Sequence, residues 1–132
     1  MQITFIWSSY IAYVINYGNI SGQEGVAGIV GSARMTGNSE TDEEYSYNDI
    51  VVYNCENRGD IQGVKSVGGI NGESQCTIYG VQNSGAVNGE SYVAGIIGQA
   101  PMCATHNIIN NGSVNVTDYV GGIVGNCFMG FI

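Results

Sequence analysis

The chain has 132 residues, enough for one domain and too few for two independent cores. It holds 21 Gly, 14 Asn, 16 Ile and 14 Val but no Leu and one Pro, which opposes helix and predicts an all-β fold, because β-branched residues and turn formers abound while the best apolar helix former is missing. An apolar content of 44% excludes a disordered chain, and three basic against eleven acidic residues exclude nucleic acid and anionic membrane surfaces as partners, since a net charge of −8 repels phosphate.

Met1–Tyr17 is fairly apolar, yet it contains no Lys or Arg and no small-residue cleavage pattern before Gly18. It is therefore not read as a secretory signal, and if the protein is exported its address lies outside this chain or has been removed. No run reaches the roughly 18 uninterrupted apolar residues of a membrane helix, so membrane insertion is not expected. The first recognisable phrase follows. Asn16-Tyr17-Gly18-Asn19-Ile20 leads, after a short interval, to Val26-Ala27-Gly28-Ile29-Val30-Gly31. Between Arg34 and Asp49 comes a segment with Glu40, Asp42, Glu43, Glu44 and Asp49, bounded by turn formers and without apolar periodicity. Residues 34–49 read as a solvated acidic insertion.

The phrase then returns three times. Asn57-Arg58-Gly59-Asp60-Ile61 leads to Val67-Gly68-Gly69-Ile70-Asn71-Gly72. Asn83-Ser84-Gly85-Ala86-Val87 leads to Val93-Ala94-Gly95-Ile96-Ile97-Gly98, and Asn110-Asn111-Gly112-Ser113-Val114 to Val120-Gly121-Gly122-Ile123-Val124-Gly125. In every copy the Val stands ten residues after the leading Asn. The leading residues are 41, 26 and 27 positions apart, so the period is about 26 and the insertion accounts for the long first interval.

A period near 26 with short Ile/Val segments and Gly-rich corners predicts a short parallel β-solenoid, β-helix-like, of about four coils beginning near residues 11, 50, 77 and 104 within a single domain, 1–132. One turn cannot bury its own apolar face, whereas stacked turns about 4.8 Å apart place like positions in common ladders. The expected ladders are Ile20, Ile61, Val87 and Val114; Val26, Val67, Val93 and Val120; and Ile29, Ile70, Ile96 and Ile123. Asn16, Asn57, Asn83 and Asn110 are expected to form a structural ladder at a corner, with Asn tolerating left-handed backbone and the Gly two positions later supplying positive φ.

At Gly28-Ile29-Val30-Gly31, Gly69-Ile70-Asn71-Gly72, Gly95-Ile96-Ile97-Gly98 and Gly122-Ile123-Val124-Gly125 the chain resembles the GLUG-motif repeat, Gly-Leu-any-Gly, with Ile in place of Leu in all four copies. Val14, Cys55, Val81 and Ile108, two positions before the leading Asn, also look like that family, which often places a Cys or apolar residue there. The resemblance covers roughly Ile11 to Cys127. Such repeats occur in bacterial surface and secreted proteins, including noncatalytic regions of immunoglobulin A metallopeptidases. The resemblance implies an extracellular or cell-surface bacterial module, and it carries no catalytic residue across. A zinc peptidase needs two His on one helical face, and this chain has only His106.

Cysteines at 55, 76, 103 and 127 form no Cys-x-x-Cys pair, so neither a metal site nor a cofactor is expected. Cys76 and Cys103 each lie seven residues before a leading Asn, and in-register stacking would put them at a bridgeable Cα spacing. They read either as a disulfide or, with the other two, as buried thiols filling apolar space. His106 shares its repeat position with Tyr53 and Tyr79, an aromatic ladder in place of a catalytic base. Tyr92 and Tyr119 each precede the spaced Val and should point outward, either gripping a sugar or protein partner or stacking to support the ladder. Eight positions after the Asn stand Glu24 and Lys65, expected to pair across the first two coils.

Nearly every recurring residue is absorbed by the solenoid, leaving no nucleophile, base and orienter together. The expected function is a noncatalytic repeat module serving as spacer, adhesion or self-assembly unit, with further repeats or copies of itself as partners through open ends, or a host glycan or protein. The competing reading is a carbohydrate-binding or carbohydrate-active β-helix using Glu73, Glu90, Asp60 or Asp118, whose repeat positions differ. A flat array for ice or crystal surfaces would need regularly spaced Thr, and the six present are scattered.

Overall fold

A computed structural model describes residues 3–32, 44–73 and 75–131. The described residues carry seventeen strands and no helix, hence none long and apolar enough to cross a membrane. Every strand pairing is parallel, and the strands form three sheets. One has nine strands and includes Ile3–Ala12, Glu44–Tyr53, Cys76–Asn83, Ile97–Asn110 and Val124–Phe131. The second stacks the two-residue strands Ile20–Ser21, Ile61–Gln62, Val87–Asn88 and Val114–Asn115. The third stacks Glu24–Ala27, Lys65–Gly68, Ser91–Ala94 and Asp118–Gly121. Each coil thus runs along the large sheet to its Asn, crosses the two small sheets, and returns to the large one. The chain is a short β-solenoid.

Register follows the repeat. Ile20 lies beside Ile61, Ile61 beside Val87, and Val87 beside Val114. Val26, Val67, Val93 and Val120 are likewise consecutive neighbours. Ile70 N donates to Ile96 O at 3.1 Å and Ile96 N to Ile123 O at 3.3 Å, which continues the third column. Apolar side chains fill two clusters. One, under the large sheet, contains Val52, Ile70, Ile78, Ile96, Ile97 and all three buried cysteines; the other, between the small sheets, contains Val26, Ile61, Val67, Val87 and Val93.

The corners work differently from the sequence expectation. The leading Asn residues and the glycines two positions on are not at positive φ; the left-handed positions are Tyr13, Asn54, Gly80 and Asn107 in one column and Gly25, Ser66, Tyr92 and Tyr119 in another. The Gly of Asn-x-Gly is required by close stacking instead. A Cβ on Gly59, Gly85 or Gly112 would strike the carbonyl oxygen of Gly18, Gly59 or Gly85 in the coil before it. These corners sit too near one another for any side chain.

The described part of the acidic insertion is strand. Residues 34–43 lie outside the described residues, whereas Glu44–Asp49 begin the strand Glu44–Tyr53, paired residue for residue with Ile3–Ala12. Alternation of Tyr45 and Tyr47 with Ser46 and Asn48 is a strand signal that the charge pattern overrode.

Candidate functional site

No group of three or more His, Cys, Asp or Glu side chains comes together to hold a metal among the described residues. What the fold does assemble is columns of like polar and aromatic side chains, and the Asn column is the most complete. Asn16 Nδ2 donates to Asn57 Oδ1 at 2.8 Å, Asn57 Nδ2 to Asn83 Oδ1 at 2.7 Å, and Asn83 Nδ2 to Asn110 Oδ1 at 2.8 Å. The second amide hydrogen goes to the carbonyl two residues on, Gly18, Gly59, Gly85 or Gly112, at 2.8 to 3.1 Å. Asn57 and Asn83 are fully buried, so this satisfaction is what makes an amide tolerable inside.

The ladder occupies the coil interior. A Cβ on Gly28 would collide with Asn57, one on Gly69 with Asn83, and one on Gly95 with Asn110, so the amides lie against the glycines of the opposite wall. That explains the Gly twelve residues after Asn16, Asn57 and Asn83. The ladder also has a direction, because each of its three Asn-to-Asn hydrogen bonds runs from the earlier coil to the later one. At the two ends the series is left open: among the described residues Asn16 Oδ1 accepts only from Gly18 N, and Asn110 Nδ2 donates only to Gly112 O.

Smaller polar columns flank it. Asp60 N donates to Asn19 Oδ1 and Ala86 N to Asp60 Oδ1, both at 2.9 Å, while Asn115 Nδ2 donates to Asn88 Oδ1 at 2.8 Å. Lys65 Nζ reaches Glu24 Oε1 at 4.0 Å, the expected cross-coil pair. Arg58 binds both oxygens of Glu56, at 2.8 and 3.1 Å, and its hydrogen bonds hold that carboxyl below its ordinary value.

The aromatic columns stack in order. Tyr53 and Tyr79 lie 5.1 Å apart at 8°, and Tyr79 and His106 5.0 Å apart at 5°, with Tyr10 and Tyr13 edge-on to Tyr53. Tyr92 and Tyr119 stack at 5.1 Å and 23°, with Lys65 Nζ 5.9 Å from the Tyr92 ring centre. Both tyrosines are at positive φ. In such a pile each ring face is covered by its neighbour, which leaves the outer face of Tyr119, 66% exposed, at the end of the column.

Cys76 and Cys103 are in register, as the repeat spacing predicts. Cys76 Sγ accepts from Asn71 Nδ2 at 3.2 Å, and Cys103 Sγ lies 2.8 Å from Cys127 Sγ. The carboxylates weighed for sugar chemistry are dispersed: Asp60 caps a backbone amide, Glu73 lies beside Gln99 in the large sheet, and Glu90 and Asp118 occupy neighbouring columns of the third and fourth coils. No family model, no curated protein and no solved structure matches the chain.

Proposed function

We propose that this chain is a noncatalytic repeat module of a bacterial surface or secreted protein, and that its work is to stack, coil upon coil, on further repeats or on copies of itself. The observation that carries this reading is the directional Asn ladder with a donor left over at Asn110 and an acceptor left over at Asn16. Head-to-tail stacking would join the two and continue the same bond. The end coils agree with it: Val14 is exposed at one edge and Val120 at the other, although their column counterparts Cys55 and Val81, and Val67 and Val93, are buried in the middle coils. Parallel edge strands add unpaired backbone groups to both surfaces. The surface location rests on the resemblance of the four Gly-Ile-x-Gly phrases to the GLUG-motif repeat.

Stacked copies would set Asp118 over Glu24, since both stand in the column of Lys65 and Ser91. Association should therefore strengthen with salt, which screens that contact and the overall charge of −8. Sedimentation in about 0.5 M NaCl, where the Debye length falls to roughly 4 Å, is expected to show oligomers that shrink at low salt. Val14→Glu and Val120→Glu should each block one end and give monomers, while their mixture gives heterodimers through the two intact ends. A monomer at high concentration in high salt overturns the reading.

The stacked Tyr92–Tyr119 pair supports a second reading, a glycan-binding surface. Binding of a soluble polysaccharide that Tyr119→Ala abolishes would establish it, and titration without heat against a glycan panel would dismiss it. Reducing ends released from a polysaccharide and lost in Glu90→Gln would point to carbohydrate cleavage instead.

A further inference from the structure

We propose that Cys103 and Cys127 are a disulfide site that fastens the outermost strand of the large sheet to the rest of the solenoid. The two sulfurs are 2.8 Å apart, less than an ångström beyond the roughly 2.05 Å of a covalent S–S bond. They are not register partners: Cys127 lies beside Ala100, and Cys103 beside Gly130. Ala100 and Cys103 are both buried although three residues apart, so the strand Ile97–Asn110 turns a corner between them and brings Cys103 diagonally toward the next coil. That diagonal approach lets the sulfurs come closer than stacked side chains can. Among the described strands Val124–Phe131 pairs with Ile97–Asn110 alone, and Cys127 is the more accessible thiol of the two. Cys103 is pushed up to about 12 by burial and by the neighbouring Cys127 thiol, so the first attack belongs to Cys127.

With a low-molecular-weight disulfide such as glutathione disulfide as oxidant, the chemistry balances in two exchanges. Cys127 thiolate attacks one glutathione sulfur, forms the mixed disulfide and expels a glutathione thiolate. Cys103 gives its proton to solvent and attacks Cys127 Sγ, which expels the second glutathione thiolate. Two protein thiols become one disulfide, and the oxidant is reduced to two thiols. The site does not depend on stacking between copies, so either idea can fail alone.

The sequence supplies a clean assay. Cleavage before Asp60 and Asp118 separates residues 60–117, which carry Cys76 and Cys103, from residues 118–132, which carry Cys127. Reduced native protein would be treated with glutathione disulfide, alkylated in denaturant, cleaved without reductant and weighed. The expected product is fragment 60–117 joined to fragment 118–132. It should persist in Cys76→Ser and vanish in Cys103→Ser. The oxidised protein should also exchange backbone amides of residues 124–131 more slowly than the reduced protein. A bridge confined to fragment 60–117, a stable glutathione adduct on Cys127, or four alkylated thiols after oxidation would each overturn the proposal.

Discussion

The middle and end coils carry the same phrase and live in different environments. Val67 and Val93 are 0% exposed, whereas Val120, one coil further in the same column, is 59% exposed. Asn57 and Asn83 are buried with every amide hydrogen used, while Asn16 and Asn110 are partly open. Burial is therefore not written into a coil. It is conferred by the coil above and the coil below, as expected where each repeat touches only its neighbours. The practical consequence is that one substitution made at equivalent positions should give unequal effects, largest in coils two and three.

The sharpest version uses glycine. A methyl group at Gly69 meets the Gly95 carbonyl and the Asn83 amide, whereas at Gly122 it meets nothing within 4 Å, since among the described residues no later Asn lies beside it. Gly69→Ala should lose about 3 kcal/mol or more and Gly122→Ala should stay within about 0.5 kcal/mol of the parent, by chemical denaturation. Equal losses would mean that the opposite-wall contact does not govern that position. Next in size, Ile61→Ala empties a fully buried site and should lose about 3 kcal/mol, against about 1 kcal/mol for Ile20→Ala in the first coil, which is covered from one side only.

How far the sequence reached follows from the same comparison. Column membership depends on spacing alone, so the Ile/Val ladders, the Tyr53–Tyr79–His106 pile and the Glu24–Lys65 pair were all legible from constant intervals before or after each leading Asn. What a side chain meets across the coil depends on the path of the backbone. Asn83 therefore could be placed in a ladder but not against Gly69, and the corner glycines were credited with positive φ when crowding by the previous carbonyl is what demands them. Cys103 and Cys127 escaped notice for a related reason. They are out of register by three residues, and a search by column pairs Cys103 with Cys76. The Asn direction, and with it the inequivalence of the two ends, is a hydrogen-bonding fact with no signature in residue identity.

A third test concerns pH and the outer boundary of the large sheet. Cys103 is held protonated by burial first and by Cys127 second, with an ionisation near 12 in the fold. An unfolded thiol ionises near 8.5. The folded state thus keeps a proton that the unfolded state releases, so this contribution to stability is complete below about pH 8.5 and is lost as pH rises toward 12. The fall in melting temperature from pH 8 to pH 11 should be shallower in Cys103→Ala than in the parent under reducing conditions. Parallel curves would count against a buried, neutral thiol at this position.

The smallest expected effect is a gain, and it isolates what the last coil lacks. In the column of Ile11, Val52 and Ile78 the fourth coil carries Thr105, nearly fully buried, with no hydrogen-bond partner for its hydroxyl among the described residues. A hydroxyl taken out of water without a partner costs about 1 to 3 kcal/mol, and Val has nearly the same shape. Thr105→Val should therefore raise stability by about 1 kcal/mol, read as a higher denaturation midpoint with an unchanged slope. The reverse change at the same level of the middle stack, Val52→Thr, should lower it by a similar or larger amount, because Val52 is closed in by coils on both sides. If Thr105→Val destabilises instead, that hydroxyl has a partner in the native protein, and the fourth coil is covered by something other than the described chain.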